Sequence, residues 1–471
     1  MIEGVFLACL ALLLVIGLAA NRRAKATEKD YLIAGSNQPA WLVAVSALAT
    51  LNSGYVFTGF VGFVYVVGLQ AIWLSIGWIV GDFMASLFIY RQLRGASGRT
   101  SGLTFVSVLA GWHNPMFRRW RLIAGLITLV FLTSYAAAQI SAGGKALFAT
   151  LDIPVALGST LTVALLLAYC FKGGIRASMW TDAAQFAVMF ISMSILAWIS
   201  LDFVGGWANA MDRLNAIPRY MDWFPSDTAV PGGMGAFLFA LGWVFAGFSV
   251  VGQPHIMVRY MTLEHEDKIT EVRIWYYSLY VIFTALNIVA ALIARIALPD
   301  LLNGDPEVAL ITLARDLLPG ALVGIILAGI FAATLSTAAS LTLASASALS
   351  NDLLPEKWHS PWVVRGATAA VGLGALGIAL QGSQSVFDLV ILSWSTLACA
   401  FAPLLTIYAL GRRISEIGAI VAMITGVSIA LIWRWMGLHT DIYEGFPGIV
   451  AGLILAYLLS KPGEAVRDRS E

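Results

Sequence analysis

The chain has 471 residues, of which 59% are hydrophobic and 12% charged, with a formal net charge of +1. An ordinary soluble domain carries about a quarter charged residues, and a water-soluble chain this apolar would expose large greasy patches and aggregate. The composition excludes a soluble globular protein. The neutral balance, with no Lys/Arg stripe, excludes nucleic acid as a partner.

Apolar runs of about the 20 residues that a helix needs to cross a bilayer recur along the chain. They lie at roughly 2–20, 40–68, 70–93, 122–149, 155–172, 178–204, 233–260, 274–298, 319–350, 362–381, 384–411, 416–435 and 445–460. The reading is therefore an all-α polytopic membrane protein with thirteen spans. The first run has no basic residue ahead of it, as expected of a membrane anchor and not of a cleaved signal peptide. The longest polar interruptions are about 94–121 and 205–232, and no segment reads as a soluble domain.

Lys and Arg collect on the cytoplasmic side of membrane proteins. With the N-terminus outside, that side receives Arg22, Arg23, Lys25, Arg91, Arg94, Arg118, Arg119, Arg121, Lys172, Arg176, Lys268, Arg412, Arg413 and Lys461, among others. By this count 22 of the 28 basic residues lie inside, against six in the reverse topology. The C-terminus is then inside too. Cys9, Cys170 and Cys399 all lie in apolar runs, with spacing that suits neither a disulfide framework nor a metal site.

Two runs are poor continuous helices. Span two contains Asn52-Ser53-Gly54, then Gly59 and Gly62. Span seven contains Gly242, Gly247, Gly252 and Pro254. Glycine adds backbone freedom and proline removes a donor. Either feature alone fits close helix packing. Five spans apart, the two breaks match transporters built from two inverted five-helix units, in which the first helix of each unit is broken near the midplane.

Span nine is rich in hydroxyls and small residues. Ser336, Ser340 and Ser347 share one helical face, flanked by Ala332, Ala333 and Ala339. Hydroxyls with carbonyls freed by an unwound neighbour would make an oxygen site for a hard cation. The same hydroxyls can instead bond to their own helix's carbonyls. Asp182, early in span six, is an acid at membrane depth and so a functional candidate. It equally suits a helix N-terminus. Tyr135 and Gln139, one turn apart in span four, could line a cavity, and His255 could relay a proton. No H-E-x-x-H, G-x-S-x-G or Walker loop occurs, so enzymatic chemistry and ATP-driven pumping by this chain are not expected.

These residues also carry a resemblance. KDYLIAG from Lys29, GGIRASMWTDAAQ around Asp182, GQPHIMVRYM from Gly252 and AGIFAATLSTAASLTLASASALSNDL from Ala328 resemble segments of the sodium/solute symporter family, in its sodium/proline symporter branch. The resemblance implies a thirteen-span, inverted five-helix-repeat (LeuT-like) fold working by alternating access. The chain would form one unit over 1–465, with repeat one at about 40–204 and repeat two at about 233–411. Helices 2–20, 416–435 and 445–460 would be peripheral, and 466–471 a cytoplasmic tail.

The resemblance also implies roles. Sodium would take carbonyls of Ala49, Asn52 and Ala333 and hydroxyls of Ser336 and Thr337. Asp182, Ser336 and Ser340 match a second sodium site of some members, although Ala339 stands where those members have another serine. Ser53, Gly54, Tyr135, Gln139 and Pro254 match solute positions. Leu51 replaces a functional aspartate, and Ala246 and Val250 replace two aromatics of the proline pattern, with Trp243 and Phe248 nearby. The implied function is sodium-coupled import of proline or a related amino acid across the cell membrane. The partners would be a small-molecule solute, sodium and the lipid bilayer, with no required protein partner. Another solute or proton coupling fits the residues as well. A sensor on the same scaffold would be expected to carry more than the short tail after Leu459.

Overall fold

The computed structural model describes residues 1–21, 27–100, 102–113, 115–226, 228, 230–358, 360–381 and 385–463. Arg22, Arg23 and Lys25 of the expected cytoplasmic set and the tail 466–471 lie outside these residues.

Each of the apolar runs falls on helical structure. Nine stretches among the described residues are long and apolar enough to cross a bilayer: Val56–Arg99, Arg118–Phe148, Gly174–Phe203, Gly232–Gly252, Glu266–Ala297, Gly320–Leu353, Trp362–Ala379, Val386–Ala409 and Glu416–Trp435. Ile2–Leu13, Ala40–Leu51, Val155–Leu167 and Gly445–Leu458 are shorter apolar helices. The helix starts are set locally. Ser360, Ser385 and Ser415 each accept a hydrogen bond from the backbone N–H three residues on, which satisfies a donor with no intrahelical partner. The all-α reading gains one detail: Arg412–Ile414 and Ser460–Pro462 pair as a short antiparallel ladder.

Spans five and six part at Gly174, whose φ of 57° and ψ of −165° are non-helical and divide the helical run Val155–Phe203 in two. That left-handed φ favours glycine, and a side chain there would run into the backbone of Tyr31.

Span nine (Gly320–Ser347) and span eleven (Val386–Ala409) are buried along most of their length. Span nine packs against spans one, four, five and six, and against the first half of span two. Its small residues let those backbones approach closely, which is how helices gain contact in lipid. Span eleven packs on spans four, twelve and thirteen and on the break in span seven.

Both expected breaks are present, and both are narrower than the glycine pattern suggested. Span two runs as a helix over Ala40–Leu51, opens at Asn52 and Ser53, and rewinds through a wide π turn at Val56–Phe60. Span seven is regular over Gly232–Phe248, so Gly242 and Gly247 do not break it. It tightens to 3-10 winding at Ser249–Gly252, bends at Gln253 and restarts with Pro254 at the first helical position.

Beyond the break, the second half of span two packs at Gly62 on Pro306 and Glu307, in a segment that spans four and eleven hold in place. Lys145 pairs with Glu307 (2.5 Å) and Asp305 (3.0 Å). Glu307 also accepts from Ser385 Oγ (2.8 Å) and the Phe387 N–H (3.1 Å).

Candidate functional site

Unwinding a helix in lipid frees backbone groups that must find partners within the protein. At span two those partners are the candidate residues. The Gly54 N–H donates to Gln139 Oε1 (2.9 Å), and the Tyr55 N–H donates to Ser53 Oγ (3.2 Å). Thr337 Oγ1, from span nine, donates to the Thr50 carbonyl (3.1 Å). At span seven, Gln253 Nε2 donates to the carbonyls of Ser249 (3.1 Å) and of Trp394 on span eleven (2.9 Å).

The residues matched to the first sodium site are all buried. Thr337 sits against the opened end of span two, where Asn52 closes the helix with its N–H and Nδ2 both on the Leu48 carbonyl. Ser336 Oγ, one residue earlier, donates to Asp182 Oδ1 (2.5 Å). Spans two, six and nine therefore meet at these two hydroxyls.

Asp182 is fully buried within the helix and eight residues past the Gly174 kink, so the helix-terminus reading does not describe it. Its Oδ2 accepts from Ser46 Oγ (2.6 Å) and from the Arg259 guanidinium (3.3 Å). Arg259 also donates to Ser340 Oγ and to the His255 carbonyl, and Ser340 Oγ donates to the Ser336 carbonyl (2.8 Å). Two of the three residues matched to a second sodium site thus already hold a guanidinium. Sequence reasoning quoted Arg259 within a motif and gave it no role. The available signal was an arginine inside a membrane-spanning segment, which is rarely without a partner and a purpose.

Four of the five solute-matched residues come together. Tyr135 Oη donates to Ser53 Oγ (3.4 Å), and Gln139 holds Gly54. Pro254 stands apart and faces a cavity shared with Val258, Arg259, Ser340 and Ser347. It joins the group through His255, whose ring lies edge-on to Tyr135 (5.6 Å) and to Trp394 (6.4 Å). Trp394 stacks on Trp78 (5.2 Å), Trp78 stacks on Tyr55 (5.9 Å), and Trp394 Nε1 donates to the Ala246 carbonyl (3.0 Å). Spans three and eleven thus bring aromatic rings next to Ala246, which local sequence comparison does not reach.

Among the described residues, Gln139 Nε2, Gln253 Oε1 and both ring nitrogens of His255 are buried without a hydrogen-bond partner. Each such group costs about 1–3 kcal/mol, and native proteins keep few of them. These four atoms lie on or beside the two broken helices.

A small cavity beside the break is lined by Asn52, Tyr55, Trp78, Tyr280 and Thr284. At about 20 Å³ it has room for about one water. Gly54 is packed on three sides by Thr334, Gln139 and Ala142. Gly54→Ala is expected to push these groups apart, at about 1–3 kcal/mol as for other overpacked sites, and to abolish uptake. A melting curve together with a transport assay checks this.

The profile of the sodium:solute symporter family matches residues 31–426. The chain belongs to this family. Its members are transporters, so this symporter-family chain is a transporter and not an enzyme. It is 26% identical over 472 residues to the high-affinity proline transporter PutP of Bacillus subtilis, covering 97% of this chain and 98% of that one. It is 27% identical to the osmoregulated proline transporter OpuE of the same organism, covering 93% and 90%. A Na+-coupled sialic acid symporter, solved substrate-bound and outward-open, shares the fold with a TM-score of 0.80. That match has 20% identity and covers 98% of this chain and 99% of that one. MhsT, solved with L-phenylalanine, superposes with a TM-score of 0.58 at 15% identity, covering 89% and 97%.

Proposed function

We propose that this multi-pass membrane protein is a sodium-coupled symporter of the cell membrane, importing proline or a related amino acid by alternating access. The observation that carries the proposal is the joint between Thr337 and the Thr50 carbonyl, next to unpartnered polar groups at two broken helices. Sodium would bind carbonyls of Ala49, Asn52 and Ala333 and hydroxyls of Ser336 and Thr337. It would hold span two in the shape that presents Ser53 and Gly54 to the solute.

Solute would lie against Tyr135, Gln139 and His255, with the rings of Trp78 and Trp394 as apolar walls for a compact side chain. The two halves, about 40–204 and 233–411, would act as inverted repeats, with the N-terminus outside and the C-terminus inside. The Arg259 guanidinium balances Asp182, so one sodium per solute is the stoichiometry this geometry favours. Sodium can drive only as much conformational change as its affinity differs between the two states.

Uptake into proteoliposomes tests the proposal, with labelled proline competing against other amino acids, carboxylates and sugars, with and without an inward sodium gradient. Sodium-dependent proline uptake, displaced best by close analogues, is the expected result. Displacement by a carboxylate or a sugar alone would reassign the solute. Uptake that follows a pH gradient in sodium-free medium would reject sodium coupling.

A further inference from the structure

Asp82 lies in span three (Ile72–Arg99), ten residues from its start. At 1.5 Å per residue that is about 15 Å, near the centre of a hydrocarbon core about 30 Å thick. The side chain is fully buried. Oδ1 accepts a hydrogen bond from Tyr90 Oη, two turns along the same helix. Oδ2 has no partner among the described residues, nor do the hydroxyls of Tyr276 and Tyr277. Those two hydroxyls approach the same carboxyl from span eight (Ile269–Ala297). Tyr260, from the second half of span seven, packs its ring on Tyr90 (4.2 Å), and Tyr280 continues the row on span eight.

Among the described residues, no cation on the surrounding elements pairs with Asp82. Arg91 pairs with Asp267, Arg94 donates to the carbonyls of Leu263 and Glu264, and Arg99 lies beside Gly95. Arg273 donates to Thr270 through Nη2 with its Nε buried and unpartnered, Arg295 lies over the rings of Tyr65 and Tyr220, Lys268 pairs with Glu271, and Arg259 holds Asp182. Glu266 lies against Gly95, beyond Arg91 on the helix. The first half of span seven has no ionisable side chain. Span eleven meets span three through the Trp78–Trp394 stack, and its Asp388 pairs with Arg434.

A bare carboxylate without a cation is costly at this depth, and hydroxyl donors leave its charge in place. A proton on Oδ2 removes the charge. The hydroxyls of Tyr276 and Tyr277 can pair with Oδ2 whether or not it carries the proton, so it is the uncompensated charge that calls for one. We propose that Asp82, with Tyr90, Tyr276 and Tyr277, is a proton-binding site, separate from the residues assigned to sodium and solute.

The site has a route to them. Trp78 lies about one turn before Asp82 on the same side of span three. Trp78 and Tyr280 both line the small cavity beside Asn52. As that cavity widens during transport, Asp82 meets water and the proton exchanges.

Infrared spectra of the full-length protein in lipid vesicles test the assignment without reference to any solute. The carbonyl stretch of a protonated carboxylic acid should be present at neutral pH, shift in D2O and be lost in Asp82→Asn. Tyr90→Phe removes the bond donated to that carbonyl. It should move the band to higher frequency without abolishing it, which keeps the test usable if Asp82→Asn folds poorly. Spectra of wild type and Asp82→Asn without a difference in this region would overturn the proposal. So would a band that vanishes when choline chloride is replaced by sodium chloride, because the metal ion would then own the site. In uptake measurements Asp82→Asn should lose pH dependence that the wild type shows. Identical pH profiles would overturn proton exchange during the cycle.

Discussion

Thr337→Ala and Ser336→Ala are each expected to raise the sodium concentration for half-maximal uptake by about 10- to 100-fold. A hydroxyl bonded to a charged group contributes roughly 1.5–3 kcal/mol, and each 1.4 kcal/mol is about tenfold in affinity. Both side chains are buried where spans two, six and nine meet, so each loss has a structural component as well. Thr337→Ser separates the two. It keeps the oxygen while deleting a methyl, and should restore sodium activation close to wild type. Ser336→Ala also removes the donor to Asp182 Oδ1 and should show the larger loss of thermal stability. Initial uptake rates across a sodium titration, with melting curves on the same preparations, check these outcomes. Unchanged sodium activation in both alanine variants would remove the site from spans two and nine.

Breaking the Asp182–Arg259 pair should have the largest effect on stability. The two side chains are 0% and 2% exposed. Removing one member of such a pair strands the other charge and costs about 3–5 kcal/mol, whereas replacing both is often neutral. Asp182→Asn and Arg259→Met alone should therefore melt well below wild type, and the double variant should recover most of the loss. Single variants that melt like the wild type would show that the charges are not paired. The pair also bears on ion count. Because Arg259 already donates to Asp182 and Ser340, a second sodium there would first have to displace the guanidinium. Asp182→Asn should leave the number of sodium ions per solute unchanged at one, even where it lowers the yield of folded protein.

The membrane character of the chain was readable from composition and spacing alone, because the bilayer imposes one length on every crossing helix. The breaks in spans two and seven were readable as well, through Asn52-Ser53-Gly54 and Pro254. Their width was not. Gly242 and Gly247 serve close packing in a regular helix, and nothing local separates that use from a break. Gly174 was not singled out in the sequence, yet its left-handed, non-helical backbone is what divides span five from span six.

At the site, Ser336 and Ser340 stood out by their spacing on one face of span nine, whereas Thr337 came only with the family resemblance. What these hydroxyls bond to was not legible, since Ser336–Asp182 and Thr337–Thr50 join positions more than a hundred residues apart. Trp394 and Trp78 escaped notice for the same reason. Each is unremarked in its own span and acquires a role only through the helix across from it, whereas Arg259 carried a local signal as an arginine at membrane depth.

The most direct measurement of the central claim is simultaneous entry of labelled sodium and labelled solute into proteoliposomes, with the solute that the competition panel selects. Solute-dependent sodium entry at a fixed ratio of one to one, lost together with solute accumulation in Ser336→Ala and Thr337→Ala, is the predicted result. Solute accumulation with no accompanying sodium entry would contradict it.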